Sequence, residues 1–150
     1  RARVARSIDA HAAADATLTI CESIVFGRTA MGETVAAGML KDRWRVRRAG
    51  KLIFADALTL DGSIEKILAG PATAAAATAA ATLVQIAPDA EIKIDSVRAA
   101  LENQEIEAGA SAFDGMLIVR MLARDGLALR AAILETLSAL GTVPPRAFSL

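Results

Sequence analysis

The sequence predicts a mainly β, α+β chain: a strand-rich N-terminal part built around a basic hairpin, then strands with two helices packed on them. Three observations predict it. Segments rich in β-branched and aromatic residues recur from Thr17 onward with a period near two, the spacing of a half-buried strand. Turn chemistry separates them, at Arg48-Ala49-Gly50, Asp61-Gly62, Asp114-Gly115 and Asp125-Gly126. Two segments repeat their apolar residues at helical spacing instead: Ile94, Val97 and Leu101, then Leu129, Ile133, Leu137 and Leu140.

The first strand covers Thr17 to Phe26, with Leu18, Ile20, Glu22, Ile24 and Phe26 on one side. Gly27 and Gly32 bracket a break, and a second extended segment follows near Thr34 to Leu40. The clearest hairpin joins KDRWRVR to KLIFADALTL through a three-residue loop, Arg48 to Gly50, whose glycine suits a left-handed position. That register pairs Trp44 with Phe54 and Val46 with Leu52. One face is then apolar, and the other carries Arg43, Arg45 and Arg47. Asp61 and Gly62 end the second strand, and SIEKILAG is a short helical or irregular piece.

Alanine alone in the run before TLVQIA argues for helix, but the gathering of Thr, Leu, Val and Ile favours a strand over Thr78 to Ile86. Pro88 and Asp89 open a helix with Asp89 as its N-cap, and Asn103 closes it. EIEAGASAFDGMLIVRMLARDG reads as two strands, or one bulged strand, about Asp114 and Gly115. The last helix follows Asp125 and Gly126; Gly141 stops it, and Pro144 and Pro145 prevent its resumption.

With 150 residues the chain can bury a core of one domain's size. Hydrophobic residues make up 54%, and the mean hydropathy of +0.41 leaves two sources open: apolar surface reserved for a partner, or simply the abundance of alanine. Seventeen basic and seventeen acidic side chains cancel, so no global field draws nucleic acid or an anionic membrane. The single cysteine, Cys21, excludes an internal disulfide and is in keeping with a reducing compartment. The longest nearly uncharged run, Ala72 to Ala87, is alanine and threonine and too short for a bilayer. RARVARSIDAHAAAD lacks the pattern of a secretory signal, so export is not expected.

No phosphate loop of the GxxxxGK[ST] kind is present. A triad would need His11, which lies in a charged segment expected to be exposed, and Cys21 on an apolar strand reads as a small hydrophobe rather than a nucleophile. Carboxylates such as Glu22 with Glu33, or Asp56 with Asp114, could serve acid-base work, but their spacing gives no geometry that joins them. The basic stripe is a solvated strand face or a dock for an acidic protein surface.

Three blocks then carry a specific resemblance: CESIVFGRTAMGE, DRWRVRRAGKLIFADALTLDG and GASAFDGMLIVRMLARDGLALRAAI. In this order, and with Pro145 and Arg146 near the end, they resemble the central and C-terminal part of the UreD (UreH) family of urease accessory proteins. The resemblance implies that 1–150 is a single domain of that kind without the family's N-terminal strands, mostly β with helices toward the C-terminal end. It also implies a non-catalytic cytoplasmic scaffold or chaperone, assembling UreF and UreG with apo-urease subunits during nickel insertion. Nickel is then handled by the complex and GTP by UreG. This chain is expected to bring no cofactor, catalytic residue or metal ligand of its own, and to engage neither nucleic acid nor membrane. Arg28, Glu33, Arg43, Arg45, Arg47 and Asp114 are the candidates for a partner interface or polar path, against the plainer role of turn residues and surface ion pairs. Two other readings stay open: a transient nickel-binding protein, and a small enzyme using Glu22, Glu33, Asp56 or Asp114.

Overall fold

A computed structural model describes residues 2–27, 37–71 and 73–144 of the chain. The architecture is mainly β with α elements, in two sheets and two compact units. The first unit takes Arg1–Ala16 and Gly27–Ala76, and the second takes Thr17–Phe26 and Ala77–Leu150.

In the first unit, strands β1 (Ala2–Ala12), β3 (Gly38–Arg48) and β4 (Lys51–Gly62) form a sheet ordered β1-β3-β4, with β1 parallel and β4 antiparallel to β3. Strand β1 is an addition to the sequence reading, which saw only a charged segment there. Its alternation is real but interrupted. Val4, Arg6, Ile8 and Ala10 lie beside Leu40, Asp42, Trp44 and Val46 in the register, and the arginine at the second of those places breaks the apolar pattern.

The inward row of β3 and β4 is the core of this unit. Leu40, Trp44, Val46, Phe54 and Leu60 are all buried, and Val46 is fully so. Buried among them is a polar cluster: Arg6 donates to Asp42 Oδ2 at 3.2 Å, and the Trp44 indole N–H donates to the same oxygen at 3.2 Å. A buried carboxylate is tolerable when cations and donors compensate it; these two groups satisfy Oδ2, while Oδ1 is buried without a hydrogen-bond partner.

The hairpin register differs from the expected one. Ala49 and Gly50 both have positive φ, +49° and +80°, so the turn is a two-residue primed turn that pairs Arg48 with Lys51. A bulge after Val46 then shifts the ladder, placing Val46 opposite Phe54 and Trp44 opposite Asp56. Trp44 and Phe54 still meet, diagonally and edge to face, with centroids 6.1 Å apart. The piece after β4 is a short helix, α1 (Ile64–Ala69), anchored by buried Ile64.

In the second unit, β2 (Leu18–Val25), β5 (Ala79–Ile86), β7 (Met116–Ala123) and β6 (Glu107–Phe113) form an antiparallel sheet ordered β2-β5-β7-β6. The alanine-rich β5 is a strand, as the β-branched residues argued. Its Ala79, Ala81 and Leu83 join Leu117, Val119 and Met121 of β7 in one core cluster. Helices α2 (Ile94–Glu102) and α3 (Gly126–Ala139) contribute Val97, Leu101, Leu129, Ile133 and Leu137 to that cluster.

Asp125 caps α3, its carboxylate accepting from the backbone N–H groups of Leu127 and Ala128 at 2.9 and 2.8 Å. Gly141, at φ +69°, ends it: Gly141 N–H donates to Ser138 O and Thr142 N–H to Leu137 O, the paired bonds of a Schellman motif. Asp89 does not cap α2. A 3₁₀ turn over Ala90–Lys93 intervenes, Asp89 makes no side-chain capping bond, and its carboxylate pairs with Lys93 at 3.3 Å. Asn103 closes α2 as expected.

Two polar residues, Gln85 and Thr136, are buried in the second unit's apolar core. Gln85, 1% exposed, donates to Thr19 at 3.1 Å and Thr142 at 3.3 Å, and its carbonyl accepts from Lys93 at 3.5 Å. Lys93 also donates to the Leu140 carbonyl at 3.2 Å, putting a cation at the C-terminal end of α3. Every polar atom of the Gln85 amide has a partner, so the network fixes strand and helix ends at no desolvation penalty.

Candidate partner-binding face

The pleat of β3 sends alternate side chains to opposite sides of its sheet. Because Leu40, Asp42, Trp44 and Val46 point inward, Lys41, Arg43 and Arg45 must point outward, and all three are exposed. Successive members of this row lie about 6.7 Å apart, two residues along the strand. The outward positions beside the first two cations are small, with Ala5 and Thr59 beside Lys41 and Ser7 and Ala57 beside Arg43, while Arg45 has Ala55 on one side and Asp9 on the other. Lys41 and Arg43 therefore stand among small neighbours.

Arg47 differs from the other two predicted arginines. It is half-buried, past the bulge, and donates to Asp9 Oδ1 at 2.8 Å; His11 approaches the same oxygen at 3.2 Å. Asp9 lies opposite Arg45 in the register, but its ion-pair partner is Arg47. Among the described residues, Lys41, Arg43 and Arg45 have no ion-pair partner. Like charges at this spacing repel by about 0.6 kcal/mol per adjacent pair in water. The unit keeps that small cost on its outward face.

Asp114 lies in the second unit, at the β6–β7 turn. Its φ of +52° and the +67° of Gly115 make another two-residue primed turn, and the Gly115 N–H donates to Glu91 Oε1 at 3.2 Å. Turn formation explains an aspartate at this place. Arg28 and Glu33 lie outside the described residues. The structure thus brings together Arg43, Arg45 and Arg47 on one strand and places Asp114 elsewhere. Sequence reading missed Lys41, which the same alternation would have added, and missed Asp9, which could be assigned only once β1 was recognised as a strand.

Among the described residues, the other titratable candidates lie on separate elements. Burial, with Glu22 alongside, pushes the Cys21 thiol up to about 11, which keeps it protonated and inert at neutral pH. His11 is exposed, as expected of its segment. Glu22 lies on β2, Asp56 on β4 and Asp114 at its turn. No group of three or more His, Cys, Asp or Glu side chains that could hold a metal ion occurs among the described residues. No helix among them is long and apolar enough to cross a membrane.

The chain is thus strand-built, with an exposed basic row on one sheet. The family model for the UreD urease accessory protein matches residues 1–146, and the chain belongs to that family. It is 45% identical over 148 residues to "Urease accessory protein UreD" of Methylobacterium sp., covering 95% of this chain and 52% of the relative. It is 43% identical to "Urease accessory protein UreD" of Azorhizobium caulinodans, covering 99% and 55%, and 43% identical to "Urease accessory protein UreD 1" of Bradyrhizobium sp., covering 96% and 51%. The chain spans about half the length of these relatives.

Proposed function

We propose that the chain serves urease maturation as a non-catalytic scaffold that holds UreF and UreG against apo-urease while nickel is inserted. The observation that carries this reading is the family match over nearly the whole chain, joined to relatives named as urease accessory proteins. The outward basic face supports it, since three cations with no ion-pair partner among the described residues suit a surface that binds. On this reading the protein acts in the cytoplasm, nickel is cargo of the complex, and GTP belongs to UreG.

Co-expression tests it. Urease subunits and the remaining accessory proteins are produced with and without this protein, and urease activity, nickel content and co-purification with UreF are measured. Activity and nickel occupancy should fall when it is left out, and UreF should co-purify when it is present. Urease activated equally well in its absence would refute the reading. Calorimetric titration of the isolated protein with nickel separates the scaffold from a transient nickel carrier: tight stoichiometric uptake would favour the carrier.

A further inference from the structure

We propose that the outward face of the β1–β3–β4 sheet docks an acidic protein segment whose carboxylates are spaced about 6 to 7 Å apart, matching the row of Lys41, Arg43 and Arg45. For its natural partner the inference rests on the accessory reading above. For its chemistry it rests on the face alone.

Charge comes first. The nearest carboxylate in the register, Asp9, is engaged by Arg47 at 2.8 Å and approached by His11 at 3.2 Å, so the row keeps its positive field. The first unit as a whole has eleven basic and seven acidic residues, a net of +4, and the second has six and ten, a net of −4. The whole-chain charge of zero therefore hides a positive first unit.

Shape comes second. Alanine, serine and threonine flank Lys41 and Arg43 on both neighbouring strands, and Ala55 flanks Arg45 on one side with Asp9 on the other, so an incoming backbone meets small side chains along most of the row. Carboxylates two apart on a strand, or four apart on a helix, recur at about the spacing of the cations. Arginine can grip a carboxylate with two parallel hydrogen bonds, which adds geometry to charge.

Nucleic acid fits this face less well. Single-strand binders interleave cations with exposed aromatic rings on which bases stack. Here Trp44 and Phe54 occupy the opposite, buried side of the same strands.

The test uses the intact protein and three labelled probes: a peptide alternating glutamate and threonine, its glutamine counterpart, and oligo-uridine. Binding is followed by fluorescence anisotropy at low salt and at about 0.3 M salt, where the field of an exposed row is largely screened. The wild type should prefer the glutamate peptide. The triple reversal Lys41→Glu, Arg43→Glu, Arg45→Glu should weaken that binding about tenfold or more and flatten its salt dependence. Its melting temperature should stay within about 2 °C of wild type. Lys66→Glu, a reversal on α1, should change neither.

Equal peptide binding by wild type and triple variant overturns the proposal. So does preference for oligo-uridine, or salt-dependent self-association that the triple reversal abolishes, which would make a second copy the occupant. The same variants are measured for apo-urease capture and urease activation. Wild-type activation and capture by the triple variant would sink the docking face and leave the accessory reading intact. Failure of the wild type to support activation, with peptide binding that obeys the row, would sink the accessory reading and leave the face.

Discussion

Replacing Trp44 should unfold much of the first unit's stability, and the structure says by how much. The indole is 3% exposed, meets the Phe54 ring edge to face at 6.1 Å, and donates to Asp42 at 3.2 Å. Truncating a buried Trp to Ala costs about 3 to 5 kcal/mol. Within that loss, the aromatic pair accounts for about 0.5 to 1.5 kcal/mol, and the hydrogen bond to a charged acceptor for about 1.5 to 3 kcal/mol. Trp44→Phe keeps a ring in the core and removes the donor, so it should cost about 2 kcal/mol, leaving a further 2 kcal/mol or so between Phe and Ala. Against a typical total of about 5 to 15 kcal/mol, the Ala variant is marginal. Trp44 is the sole tryptophan, so its fluorescence reports the first unit in the wild type; the variants are compared by circular dichroism through urea titration. A loss under about 1 kcal/mol for Trp44→Ala would refute the placement of this side chain in the core. Equal losses for Phe and Ala would show that the donor matters and the ring does not.

Cys21 supplies a prediction about reactivity and pH. With its thiol raised from 9.0 to about 11, the thiolate fraction at pH 8 is about a hundredfold below that of the unfolded chain, so aromatic disulfide reagents should label it slowly until urea is added. A raised thiol pKa means that the folded state holds its proton more tightly. The associated stability is complete below pH 9 and declines as pH rises toward 11, and Cys21→Ala should remove that part of the alkaline decline. Rapid native labelling at pH 8 would contradict the burial. At the start of α3, Asp125→Ala removes the acceptor for two backbone N–H groups and should cost about 1 kcal/mol by urea titration, while Asp125→Ser should recover most of it. An Ala variant as stable as wild type would mean the cap is satisfied by water.

Where local chemistry decided the structure, the residues disclosed it. Leu129, Ile133 and Leu137 keep helical spacing and are buried; Asp125 caps and Gly141 stops α3 by mechanisms that need no distant partner. Strand β5 was legible despite its alanines because Thr82, Leu83, Val84 and Ile86 outweigh them. Strand β1 was not, because its inward row carries Arg6, whose place is explained only by Asp42, 36 residues away. The hairpin register was misread by local rules as well: a bulge after Val46 moves every later pair, and nothing in KLIFADALTL marks it. Asp89 looked like a cap, but its side chain reaches Lys93 and the 3₁₀ turn delays the helix. Of the candidate face, Arg43 and Arg45 followed from alternation alone, whereas the separate role of Arg47 depended on Asp9 and on the strand that carries it.

Strand β3 would join folding to the proposed docking through its pleat. Its inward residues hold the core, and Lys41, Arg43 and Arg45 between them touch none of it. Changes in one row therefore act on stability, and changes in the other leave the core intact, with only the backbone in common. An apolar strand exposed on both faces would aggregate, and one charged on both faces could not anchor the sheet. The alternation K-D-R-W-R-V meets both demands by placing Asp42, the one inward charge of β3, where Arg6 pairs with it and the Trp44 indole donates to it. The zero net charge of the chain argued against a long-range field, and beyond a Debye length of about 8 Å that argument holds. Inside that distance only the local row counts, so a neutral protein can still present a strongly basic face to whatever touches it.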